Sequence, residues 1–171
     1  MSIDLPLLLD PLRATRHCEH YAGSLELQCC ERLTPVLARS DGVMEYQLVF
    51  GVDNDRRSVI KGWVKASLWL QCQRCLEPFP FPVHSTIALA VVKGLDEAER
   101  LPEVYDPVLI DDQPLRPQLL LEDELLLAVP VVPRHEDGMC QPPIDTQTKP
   151  PADEQHPFAD LAQWHAARRS T

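Results

Sequence analysis

Cys72-Gln73-Arg74-Cys75 places two thiols two residues apart, the half-site from which metal knuckles and redox centres are built. A downstream segment, His135-Glu136-Asp137-Gly138-Met139-Cys140, offers an imidazole and a further thiol. Cys72, Cys75, His135 and Cys140 together make a Cys3His set, the ligand complement of a closed tetrahedral zinc site. Zinc is therefore the candidate cofactor, and the competing reading is four unliganded side chains. The same pair could serve a thiol redox or metal-trafficking protein, for which a reactive low-pKa thiolate is expected. A thioredoxin-like pair belongs at the start of a helix, and no helix signal follows Cys75.

A second set carries cations and aromatic planes. Lys61, Trp63, Lys65 and Trp69 share one parity of an alternating run, with Arg56, Arg57 and Arg74 at its ends. Such a face could meet bases and phosphates of RNA. It could equally be a sheet face whose tryptophans lie under a helix while the lysines snorkel to solvent.

The third set is acidic: Asp111, Asp112, Glu122, Asp123 and Glu124. Mg2+-dependent phosphodiester hydrolysis would need carboxylates converging from several elements. Glu122 to Glu124 are consecutive, so on a helix they radiate apart. A solvated face, or a surface for a basic partner, explains them more simply. With no phosphate-cradling glycine loop, nucleophile elbow or HExxH motif, no catalytic residue is assigned and the chain is not expected to be an enzyme.

The elements that must position these groups follow from periodicity. Leu5 to Leu9 reads as a short extended segment, and residues 13–37 carry weak helix signals around Gly23, with Ser24 as an N-cap. Leu27, Cys30, Leu33 and Leu37 recur at helical spacing, which turns Cys30 toward a core and Cys29 toward its edge. Tyr46, Leu48 and Phe50 then alternate with polar neighbours, Asp53-Asn54-Asp55 marks a turn, and Ile60, Val64, Ala66, Leu68, Leu70 and Cys72 share the apolar parity of a second strand. This is a long hairpin with the thiol pair at its exit. Phe79 to Val91 resumes the period of two, with Pro80 and Pro82 limiting its start to an edge or irregular strand. An extended segment at 104–110, broken by Pro107, precedes a helix over 119–129 that Pro130 ends. Glu122 and Asp123 are expected to point outward.

Composition bounds the whole. A chain of 171 residues, 44% hydrophobic and with seventeen prolines, can bury one moderate core joined by many loops. No apolar run is long enough to span a bilayer, and Met1-Ser2-Ile3-Asp4 lacks the order of a signal peptide. Six cysteines in such a chain argue for thiols or metal ligands in a reducing compartment, so the cytoplasm is the expected location. Residues 1–95 carry ten basic against ten acidic side chains, and residues 96–171 six against sixteen. The net charge of −10 therefore lies wholly in the later part, the inverse of a uniformly basic nucleic-acid binder. Residues 141–157 are rich in proline and polar groups and read as a flexible linker. In the following segment, 158–169, Phe158, Leu161, Ala162 and His165 fall at helical spacing. Glu122, Asp123, Phe158 and Leu161 are the candidate partner-binding residues. The fold class is α+β: residues 1–140 form one domain of mainly antiparallel sheet, built from long hairpins, packed against a few helices, with a flexible C-terminal tail.

Five segments resemble a bacterial family in both identity and order: Pro6-Leu7-Leu8-Leu9-Asp10-Pro11, Leu70-Gln71-Cys72-Gln73-Arg74-Cys75, Glu122-Asp123-Glu124-Leu125, Leu127 through His135, and His156-Pro157-Phe158-Ala159. The chain looks like the YceD family, the large ribosomal RNA subunit accumulation proteins. The resemblance implies a role in the synthesis, processing or stability of large-subunit (23S) rRNA, with that rRNA or its assembly intermediates as partner, and the acid excess of residues 96–171 suggests basic ribosomal proteins as a further partner. It also leaves open an acidic adaptor that binds basic ribosomal proteins without touching RNA.

Overall fold

The computed structural model describes residues 5–110, 114–136 and 138–140. Helix α1 (Pro11–His17) starts where chemistry favours it. Asp10 accepts hydrogen bonds from the Leu12 and Arg13 N–H groups at 2.9 and 3.0 Å, Pro11 fills the first turn, and Cys18 closes the helix in the left-handed region. Strands β1 (His20–Glu26), β2 (Val43–Val52), β3 (Ser58–Gln71) and β4 (Pro78–Val92) then form an antiparallel meander. A short helix, α2 (Leu95–Ala98), carries the chain across to β5 (Asp106–Leu109), which pairs parallel to β4 and completes a five-stranded sheet in sequential order. Helix α3 (Pro117–Ala128) follows. The expected α+β class with a mainly antiparallel sheet is thus the observed one, and the expected C-terminal linker 141–157 and segment 158–169, Phe158 and Leu161 included, lie outside the described residues.

The long hairpin has the expected register and turn. Asp53 accepts from the N–H groups of Asp55 and Arg57 and pairs with the Arg57 guanidinium at 3.0 Å, which fixes the reversal between β2 and β3. Met44, Tyr46, Leu48 and Phe50 on β2 share the core face of the sheet with Ile60, Val64, Leu68 and Leu70 on β3, all buried in one core. α1 and α3 supply its other side through Ala14, Leu120, Leu121 and Leu125. Gly62 lets the backbones of β2 and β3 approach closely, since a Cβ there would lie 1.8 Å from the Gln47 carbonyl oxygen. Pro80 and Pro82 fall in the half of β4 that β5 does not reach, because β5 pairs only with Leu89 to Val92. That agrees with the confinement of proline to free strand edges.

Two expectations are overturned. The helical reading of residues 13–37 holds only for α1: Gly23 and Ser24 sit inside β1, opposite Tyr46 and Glu45, and residues 27–29 and 34–36 form single 3-10 turns. Pairing with β2 overrides a weak local periodicity, as tertiary context routinely does. Cys30 nonetheless is buried and Cys29 exposed, the sides expected for them. The second correction concerns Glu122, which is only 1% exposed instead of outward-facing. Helix α3 is clasped from a side that its sequence does not announce. Glu122 accepts from the Arg32 N–H at 3.0 Å and from the Gln118 amide at 3.0 Å, and Gln118 donates to the Cys29 carbonyl at 2.8 Å. The segment after β1 thus covers the helix where solvent was expected, and Leu127 becomes the open position, 81% exposed.

Candidate functional site

The thiol pair stands on a turn that the backbone closes by itself. The Cys72 N–H donates to the Glu77 carbonyl at 3.0 Å and the Leu76 N–H to the Cys72 carbonyl at 2.9 Å, with Leu76 at φ 65°. The Gln73 N–H reaches across to the Pro133 carbonyl at 2.8 Å, so the turn is stitched to the stretch that follows α3. Gly138 at φ 86° and a Met139 N–H to Glu136 carbonyl bond of 3.1 Å fold that stretch back on itself. The gap between His135 and Cys140, wide in sequence, is thereby closed in space.

Cys72, Cys75, His135 and Cys140 converge so that their ligand atoms all lie within 4.8 Å of one another. The Cys72 and Cys140 sulfurs are 3.8 Å apart, and the Cys75 sulfur lies 3.5 Å from His135 Nδ1. With Zn–S near 2.3 Å and Zn–N near 2.0–2.1 Å, a tetrahedron has S···S edges of about 3.8 Å and S···N edges of about 3.6 Å. These two separations match such edges, and with all four ligand atoms within 4.8 Å of one another the set could hold one ion. The Arg74 N–H points at the Cys72 sulfur from 3.4 Å, and the Phe79 ring packs against the His135 ring at 4.7 Å, holding the imidazole in place.

The thiols differ in acidity. Burial pushes the Cys72 thiol up, but hydrogen bonds from Cys75, His135 and Arg74 outweigh it and leave Cys72 at about 5. Burial, together with hydrogen bonds to Cys75 and Cys72 and the charge on those sulfurs, raises Cys140 to about 11. One member ionises readily and opposes ionisation of the next, the arrangement that a cation relieves. Cys30, outside the cluster, is pushed up to about 12 by burial and then by Glu122 and Cys29.

The cation and tryptophan set divides. Lys61, Trp63, Lys65 and Trp69 lie on the sheet face opposite the core; the lysines are exposed and the tryptophans half-buried. α1 and α3 pack on the other face, so among the described residues the tryptophans are not under a helix. Lys65 Nζ sits 4.8 Å above the Trp63 ring and Lys61 Nζ 5.5 Å from that of Tyr105. Arg56 and Arg57 lie at the β2–β3 turn, and Arg57 is occupied by Asp53 and Asp55 at 3.0 and 2.7 Å. Arg74 is on the thiol turn at the opposite end of β3, so the arginines do not join the central four. Three residues not singled out in the sequence do: Arg39, whose guanidinium lies 4.9 Å over Trp69; Gln47, which accepts from the Trp63 indole N–H at 2.7 Å; and His84, edge-on to Trp63 at 6.3 Å. Gln47 and His84 were readable from the hairpin register, opposite Trp63 and Lys65. Arg39 arrives through an isolated bridge to Trp69 that no period announces.

The acidic set does not converge. Glu122 is buried, Asp123 pairs with Arg32 at 2.5 Å and Glu124 accepts from Ser85 at 2.9 Å, while Asp111 and Asp112 lie outside the described residues. No helix among the described residues is long and apolar enough to cross a membrane.

The family pattern described as large ribosomal RNA subunit accumulation protein YceD matches residues 60–164, the span that holds most of β3, the thiol turn and α3. A curated relative from Haemophilus influenzae, named large ribosomal RNA subunit accumulation protein YceD, is 31% identical over 166 residues, covering 94% of this chain and 95% of the relative. No solved structure matches. Family pattern and relative both extend across the convergent cysteines and the Lys/Trp strand, and on their evidence the chain belongs to the YceD family of large ribosomal RNA subunit accumulation proteins.

Proposed function

We propose that this protein is a non-catalytic binding factor of the cytoplasm that supports synthesis, processing or stability of large-subunit (23S) rRNA by touching that RNA or its assembly intermediates. The observation that carries the reading is the sheet face on which Lys61, Trp63, Lys65 and Trp69 stand clear of the core. In a chain of net charge −10, cations alternating with indole rings have a chemical use on a nucleic acid. Cys72, Cys75, His135 and Cys140 would hold zinc, and that ion would tie the β3–β4 turn to the segment after α3 and so fix one end of that strand. Its role is structural, because four protein ligands leave no position for substrate.

Salt titration of binding to 23S rRNA fragments tests the contact. Each phosphate neutralised contributes to a linear fall of log affinity with log salt, so several contacts give a steep line and a flat line refutes direct binding. Under the second reading, an acidic adaptor for basic ribosomal proteins, the chain would hold a basic partner yet show no RNA affinity at any salt. The acid excess of residues 96–171 favours it, whereas burial of Glu122 and pairing of Asp123 remove two of its best groups. A redox role for Cys72 and Cys75 would draw on the lowered Cys72 thiol, but that sulfur is fully buried and a strand, not a helix, follows the pair.

A further inference from the structure

Resting on the RNA-contact reading, we infer that the ligand of this face is single-stranded RNA laid along β3, with bases stacked on Trp63 and Trp69. The face is bounded at one end. Val59, Ala90 and Val92 have the outward parity yet are buried, and Tyr105 lies against Lys61, so the crossover from β4 to β5 covers the sheet there. Beyond Lys61 the strip is open. It presents Lys61, Trp63, Lys65 and Trp69 on β3, and Pro80, Pro82, His84, Thr86 and Ala88 opposite them on β4. The β4 side contains no acid, whereas Glu45 stands across from Lys65 on β2. The cationic track therefore runs over β3 and β4.

Spacing decides the class of RNA. Six residues of strand at about 3.3 Å each separate Trp63 from Trp69 by about 20 Å. In a duplex the bases stack on one another about 3.4 Å apart along each strand, and the major groove is too deep and narrow for a flat sheet to enter. Two rings this far apart can both receive bases only if those bases are splayed from an unpaired strand. The rings are held ready: Gln47 fixes the Trp63 indole edge, and Lys65 and Arg39 lie against the rings of Trp63 and Trp69. An arriving phosphate draws each cation off its ring, and a base takes the vacated plane.

The experiment is tryptophan-fluorescence titration of the full chain carrying Trp164→Phe, so that only Trp63 and Trp69 report. Its two probes are an unstructured oligoribonucleotide of about 10 nucleotides and the same sequence annealed to its complement. The single strand should quench the signal and bind at least ten-fold tighter than the duplex. Trp63→Leu and Trp69→Leu should each cost about ten-fold in affinity, with Trp→Phe recovering part of the loss and the salt slope little changed. Lys61→Gln with Lys65→Gln should lower that slope by about 1.4. Equal affinity for single strand and duplex, or indifference to both tryptophan substitutions, overturns this inference while leaving RNA contact standing. Absence of binding to either probe at low salt overturns both. Matching melting temperatures of the variants exclude misfolding as the cause.

Discussion

Replacing Cys75 by serine removes one corner of the Cys3His cluster, and its cost can be worked from the chain path. Cys75 and His135 are 60 residues apart in sequence. A link that closes a loop of about sixty residues lowers the entropy of the unfolded chain enough to stabilise the fold by about 4 kcal/mol, on the relation established for cross-links. At about 2–4 °C per kcal/mol for a chain of this size, Cys75→Ser should lower Tm by about 8–16 °C. Chelation of the wild-type protein should reproduce the drop and added zinc should reverse it, because ligand-linked stability follows free metal. The assay is calorimetric melting paired with metal analysis of protein purified without added zinc: about one equivalent is expected in the wild type and none in the variant. Cys18→Ser, at an exposed free thiol, is the control and should leave both readings in place. Metal-free wild type, or a Cys75→Ser variant melting within about 2 °C of it, would refute the staple, since a lost link across a loop of this length is expected to cost about 4 kcal/mol.

Three further outcomes are expected. Glu122→Ala should destabilise the fold by about 1–3 kcal/mol, the cost of leaving the Arg32 N–H without its partner in a part-buried site, while Gln118 keeps its bond to the Cys29 carbonyl; the readout is a lower urea midpoint, and an unchanged midpoint would mean that water replaces the carboxylate. Cys30 should resist thiol labelling in the native state while Cys18 and Cys29 react, and its raised pKa gives an alkaline signature. Between its ordinary 9.0 and about 12 only the unfolded chain ionises this thiol, so stability falls as pH rises through that window, and Cys30→Ala should flatten the decline measured by denaturant titration. Gly62→Ala should cost about 2–3 kcal/mol, the upper part of the range for overpacking, because the obstructing atom is backbone; free accommodation would show that β2 and β3 can part at Gln47.

Legibility in the sequence tracked how local each determinant is. The β2–β3 hairpin was readable because the alternation of Tyr46, Leu48 and Phe50, the Asp53 turn and the parity of Ile60 to Cys72 all agree. α3 was readable between Pro117 and Pro130 for the same reason. β1 was not, since its residues gain strand geometry only from β2, and Gly23 and Ser24 look locally like a helix start. The Cys3His set was legible as ligand chemistry, but its convergence depends on the Gln73 to Pro133 bond and the turn at Gly138, neither of which has a periodic signature. Glu122 misled because a carboxylate on a helix is ordinarily solvated, and only the path of residues 27–37 shows what covers it.

The order of the ligands along the chain sets an order of events. β1 to β4 join through successive neighbours, so the meander can pair as it is synthesised, from contacts that are short in sequence. Cys72 and Cys75 are then present, but their partners follow α3. The four-ligand set is thus complete only once residue 140 has emerged, after the strands that carry its first two thiols. A nascent chain halted before His135 would carry only the Cys72 and Cys75 half of the set. With zinc held there as proposed, the centre would act as a completion mark, separating finished molecules from truncated ones by whether they retain an ion.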